Sequence, residues 1–266
     1  MHNPITEALL EMHFHQSMVD LFSSTYGLNY LSLYKPSPQR EAWVGFDQAW
    51  VRSEFSYDDF LRRLSDQIAS PNPLIETFYL AYFFQFKSVE KIIKNSTLKP
   101  ANYSTPYYRS KISTQPNKYS MLSQHDTLRR ISILNNSCVY YASGMMFDHF
   151  EVYEPVDLNK LRFVPISNSP NLTPRNKHFI TFQTIHDPNP NWCSDPIPGT
   201  SLNIFQLLDD SIFRYSPQEL YSFLQDINEI LSRIVLSNQN SIRIELLYPE
   251  CFHVLEFTRV RPLEII

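Results

Sequence analysis

Two short strings place polar groups inside apolar runs: Val-Gly-Phe-Asp at 44–47 and Phe-Phe-Gln-Phe-Lys at 83–87. In a β-strand, residues i and i+2 share a face, so Gln85 and Lys87 point one way while Phe84 and Phe86 point the other. A lysine in so apolar a strand costs free energy unless a partner meets it. Asp47 offers a carboxylate for that purpose. An acid, an amide and an ammonium meeting at a sheet edge are equipment for metal-assisted hydrolysis of a phosphodiester. Carboxylate and amide oxygens suit a hard cation, and the ammonium steadies developing negative charge.

These residues need elements to position them. Leu9, Leu10, Phe14, Met18, Leu21 and Phe22 recur at helical spacing, so 5–25 reads as a helix that Gly27 stops. Strands are expected at 29–34 and 42–51, the second carrying Gly45 and Asp47. Ser56, Asp58 and Asp59 open a helix over 56–69. The apolar stretch 75–90 holds the Gln85 strand, and the proline-bearing 95–120 reads as loop. Ser123 caps a helix over 122–135, and 137–147 is a strand. Short strands at 161–166 and 178–184 follow, then a helix over 217–236 and strands at 241–247 and 252–260. The organisation expected is a core over 1–150, with a helical insertion at 52–73, and a C-terminal α+β elaboration over 151–266 packed on it.

Composition narrows the function classes. The net charge of −4 argues against a basic, self-sufficient nucleic-acid binder. Targeting would then come from a local patch, a protein partner or a homo-oligomer. Four glycines cannot build a Gly-rich phosphate loop, which excludes P-loop and dinucleotide-fold readings. The 3 cysteines are odd in number and widely spaced, without a CxxC pair, so neither a zinc ribbon nor a disulfide framework is supported. The N-terminal residues lack a signal-peptide pattern and no run is apolar enough to span a bilayer. The expectation is a cytoplasmic protein with no membrane partner.

The order of helix, Gly-x-Asp strand, Gln-x-Lys strand, helix and strand resembles the PD-(D/E)XK nuclease superfamily. With Gln85 where most members carry an acid, it is similar to the Mrr-like restriction endonucleases. The resemblance covers about 5–150 and implies an α/β fold with a restriction-endonuclease-like mixed central sheet flanked by helices. It implies that Asp47, Gln85 and a helical glutamate hold Mg2+ or Mn2+, and that Lys87 orients water or offsets charge. Glu7 and Glu11 share a helix face, and Glu11 is favoured because it sits nearer the strand-side end. Gln124 resembles the extra glutamine of RecB-like members, although Leu128 stands where those carry Tyr. The implied activity is hydrolysis of DNA in prokaryotic defence, with RNA as another substrate the same site permits. The alternative is a non-catalytic interaction or sensor subunit on a degenerate nuclease fold.

Other groups have plainer readings beside functional ones. Tyr107, Tyr108 and Arg109, with Tyr103 and Lys111 nearby, could stack bases and hold phosphates, or serve core packing. His13 and His15 point to different helical sides, which makes a poor metal pair. His125-Asp126 and His186-Asp187 are sequence neighbours that rarely face each other, and no nucleophile elbow accompanies them. Cys193 reads as a buried thiol.

Overall fold

The computed structural model describes residues 5–26, 31–35, 45–52, 77–78, 80–116, 122–134, 138–173, 177–193, 196–210, 214–215 and 226. The protein is a mixed α/β structure built on a sheet with nine strands among the described residues. Its centre is β4 (Leu80–Ile92), a strand of 13 residues. Along β4 the ladder changes partners. Residues Leu80–Phe84 pair antiparallel with β2 (Gln48–Arg52), which pairs in turn with β1 (Leu31–Tyr34). Tyr82–Ser88 pair parallel with β6 (Cys138–Gly144), and β6 pairs antiparallel with β7 (Leu161–Pro165). Val89–Ile92 pair with β5 (Tyr107–Ile112), which continues to β8 (His178–Phe182), β9 (Asn191–Cys193) and β10 (Pro196–Pro198). β3 (Thr77–Phe78) and β11 (Arg214–Tyr215) form a separate two-stranded pair.

Helix α1 (Glu7–Tyr26) covers one face of the sheet. Leu10, Phe14, Met18 and Phe22, spaced by four, are buried against Trp50, Tyr82, Phe84, Phe86, Tyr140, Ala142 and Phe163. Gly144 allows close seating: a Cβ there would lie 2.8 Å from Leu10 Cδ2. Helix α2 (Gln124–Ser132) lies on the opposite face, where its His125 stacks on Tyr141. Ser123 caps α2 in a capping box with Asp126. Helix α3 (Ile204–Asp210) packs Ile204, Leu207 and Leu208 into the α1-side core. Among the described residues no helix is long and apolar enough to cross a membrane.

Several short elements depart from expectation, β9, β10 and β11 among them, and two bear on the core. The stretch read as loop contains β5, whose Tyr107, Ser110 and Ile112 are buried while Lys111 is exposed. Its polar core residue, Ser110, is matched by a hydroxyl contact with Ser143 at 3.1 Å, a pairing that only the folded sheet supplies. The second is α3, too short for a helical period to register. The expected helix over 56–69, with the insertion around it, and the strands at 241–247 and 252–260 lie outside the described residues. So does the helix over 217–236, apart from Asp226, which is helical.

Candidate active site

The site lies where β2 parts from β4. The β2–β4 ladder ends at Gln48 opposite Phe84. Asp47 then gives its backbone N–H to the Phe84 carbonyl at 2.8 Å and turns its side chain along β4. Asp47 Oδ2 accepts the Phe86 backbone N–H at 2.6 Å and the Gln85 Nε2 amide at 2.8 Å. A carboxylate thus replaces the strand as the acceptor for a ladder N–H group, and this orients it firmly.

Gly45 makes the turn possible. Its φ of +83° is a conformation that L side chains rarely adopt, and a Cβ there would sit 3.2 Å from the Gln124 carbonyl oxygen and the Thr127 side chain. The start of α2 therefore rests directly on the turn that carries Asp47. That contact delivers Gln124 to the site.

Gln124 Nε2 donates to Gln85 Oε1 at 2.6 Å, while Gln124 Oε1 faces Lys87 Nζ at 3.4 Å. Lys87 Nζ also meets both Glu7 carboxylate oxygens at 3.2 Å. Lys87 is 4% exposed, Asp47 4% and Gln85 0%. The five side chains form one directional relay. Lys87 can only donate and an ionised Asp47 can only accept, so the two amides between them must both point their NH2 groups toward Asp47.

Asp47, Gln85, Lys87 and Gln124, separated by up to 77 residues in sequence, therefore stand together. Glu11, the favoured helical acid, stands elsewhere. Its carboxylate is held by Lys35 and by Gln48 Nε2 at 2.7 Å, and Gln48 Oε1 accepts the Trp50 indole N–H at 2.8 Å. Glu7, one turn earlier, is the acid on Lys87. The two glutamates share a helix face, but the seating of Leu10 over Gly144 sets Glu7 against β4 and Glu11 against β2.

The aromatic-basic cluster is also redistributed. Tyr107 is 0% exposed, so its ring has no face for a base. Tyr108 stacks on Phe147 with centroids 4.9 Å apart. Arg109 pairs with Glu90 at 3.0 Å and lies over the Phe179 ring. Burial pushes the Tyr103 hydroxyl up to about 12, and that hydroxyl is bonded to the Thr181 carbonyl and Asn191. Cys193 is buried beside Thr181, and burial raises its thiol, which suits a packing role.

His125, next to Gln124 on α2, belongs to a layer whose other members, Tyr141 and Trp192, sequence reading missed. His125 Nδ1 and the Tyr141 hydroxyl are 2.9 Å apart with nearly parallel rings, and Trp192 tilts against both. Burial lowers the His125 pKa to about 4 against the pull of Asp126. Burial, followed by the nearby charges of Glu7 and Asp126, raises that of Tyr141 well above its ordinary value.

The donor set can be tested against a divalent cation. Among the described residues no three His, Cys, Asp or Glu side chains converge in a metal-holding group. What the site does offer is hard oxygen: the Asp47 and Glu7 carboxylates, two amide oxygens and the Phe86 carbonyl. This is the chemistry Mg2+ and Mn2+ prefer when water and substrate complete the shell. Gln85 fits once its amide turns oxygen toward Asp47, which requires Gln124 to turn as well. Comparison with known proteins returns no matching family model, no similar curated protein and no similar solved structure.

Proposed function

We propose that the protein is a metal-dependent nuclease hydrolysing DNA phosphodiester bonds, with a restriction-endonuclease-like core of the PD-(D/E)XK type. The observation that carries the reading is the relay from Glu7 and Lys87 through Gln124 and Gln85 to Asp47, at the fork of β2 and β4. A scaffold has little reason to gather a buried lysine, a buried carboxylate and two amides at one strand fork, since burying them costs free energy. Asp47 and Gln85 would hold Mg2+ or Mn2+, with Glu7 in the position expected of Glu11. When bound, the cation supplies a more acidic water and stabilises charge on the phosphate. Lys87 holds positive charge within reach of the scissile phosphate, and the Asp47 bond to Phe86 N–H fixes the carboxylate before substrate arrives. The resemblance places such an enzyme in prokaryotic defence, with a partner or second copy supplying targeting.

A second reading, a non-catalytic interaction or sensor subunit, draws on the way Glu7 already neutralises Lys87. One experiment separates the two. Supercoiled plasmid, with structured RNA in parallel, is incubated with Mg2+ or Mn2+ and wild type, Asp47→Ala or Lys87→Ala. The nuclease reading expects nicking by wild type and a loss of about a hundredfold or more in each variant, the scale of removing one charge-stabilising group. Equal nicking by all three sinks it.

A further inference from the structure

A second polar site, sharing no residue with the relay, lies around Arg162 on β7, which stands two strands from Lys87 in the register Lys87–Ser143–Arg162. Arg162 is 4% exposed. Its Nε and Nη2 donate to Ser201 Oγ at 3.2 and 2.8 Å, and Nη2 also donates to the Ser201 and Asp187 carbonyls at 3.1 and 3.5 Å. All of these acceptors are neutral. Among the described residues no carboxylate lies within the 4.0 Å of an ion pair. The Asp187 carboxylate helps only at longer range, being engaged by the Gln183 and Asn189 backbone N–H groups and the Tyr103 hydroxyl. A buried guanidinium whose hydrogen-bond acceptors among the described residues are neutral, with its nearest acid at longer range, carries a partly unmet electrostatic demand.

The remaining nitrogen shows where that demand points. Among the described residues Nη1 has no hydrogen-bond acceptor, and it is not among the atoms sealed from solvent. Arg162 lines an open cleft of about 490 Å³, with His186, Asn159, Asn203, Gln206 and Asp157 around it. The cleft presents donors for a definite reason. Asn203 Oδ1 accepts the Gln206 backbone N–H at 2.9 Å, and Gln206 Oε1 accepts that of Asn203 at 2.9 Å. With both amide oxygens committed to this reciprocal bond, the two side-chain NH2 groups remain for a ligand. Asp157 Oδ1 is held by the backbone and side-chain N–H groups of Asn159, both at 3.0 Å. An acid on the rim disfavours a bare anion but would accept hydroxyl groups of a larger one.

We propose that this cleft binds a phosphate monoester of a hydroxylated small molecule, a sugar phosphate or nucleoside monophosphate. Arg162 Nη1 and the Asn203 and Gln206 amides take the phosphate, and Asp157 takes a hydroxyl. The volume falls in the range of small-molecule sites, about 300–1,000 Å³. The site is independent of the nuclease reading.

Calorimetry on the full chain with adenosine 5′-monophosphate, ribose 5-phosphate and adenosine tests it. Both phosphates are expected to bind wild type, and adenosine is not. Arg162→Gln should abolish binding, but it could also disturb the fold. Asn203→Asp and Gln206→Glu avoid that problem, because each keeps the oxygen that accepts the partner backbone N–H while replacing a donor by a charged acceptor. Each should weaken both phosphates by about tenfold or more, as a like-charge contact does. Absence of binding by both phosphates, binding of adenosine as tight as that of its monophosphate, or affinities unchanged in these two variants would overturn the proposal.

Discussion

Lys87 shows what a single buried charge demands. Its ammonium meets Glu7 and Gln124 directly, and it reaches Asp47 only through two amides. The period of a strand made the shared face of Gln85 and Lys87 readable from sequence. The choice between Glu7 and Glu11 was not readable, because residues four apart on a helix share a face and only packing tells them apart. A pair of variants separates the two glutamates. Glu7→Gln is expected to reduce plasmid nicking by about tenfold or more, and also to lower stability because it takes the carboxylate from the buried Lys87. Glu11→Gln should lower stability by about 1–2 kcal/mol in denaturant unfolding but spare nicking, since it weakens bonds to Lys35 and Gln48. The opposite result would return the acid's role to Glu11. His125 gives a pH prediction. Its folded value, about 4, lies below the ordinary 6.5, so the unfolded chain takes up the proton first. Its contribution is complete above about pH 6.5 and drains away as pH falls toward about 4, by up to about 1.4 kcal/mol per pH unit. Unfolding curves across that window should show the slope in wild type and a flatter one in His125→Gln.

Elements set the geometry that residues use. The α2 start and its Ser123 cap were legible, because a capping residue before an amphipathic run is a local signal. The contact of α2 with the Gly45 turn was not legible, since it joins segments about eighty residues apart. Gly45→Ala tests that contact. The new methyl meets the Gln124 carbonyl and Thr127 at 3.2 Å on a backbone with φ of +83°. The expected cost is about 1–3 kcal/mol in denaturant unfolding, with a loss of nicking as α2 shifts Gln124 from Gln85. Stability and activity equal to wild type would show that the turn tolerates a side chain and that α2 is positioned by other contacts. β5 escaped reading for a related reason. Its buried Ser110 looks like a loop residue until Ser143 is placed opposite it.

At the scale of the whole molecule, one sheet runs through the boundary expected at residue 150. β7 pairs with β6, β8 pairs with β5, and α3 completes the core beneath α1. Fragment 1–150 would lose those partners, baring a β6 edge and part of the apolar core. It is expected to show no cooperative thermal transition by circular dichroism; a sharp transition would establish an autonomous core. The sequence alone determined the elements around the site and the polar face of β4, because turn residues, caps and two- or four-residue periods act within a few residues of themselves. Tertiary structure decided which glutamate meets Lys87, how two amides link Lys87 to Asp47, and that Arg162 would be buried with no carboxylate among the described residues at ion-pair distance. Those outcomes depend on contacts between distant segments, whose partners are chosen by packing rather than by local spacing. The strings at 44–47 and 83–87 named the groups, and the parting of β2 from β4 brought them into one site.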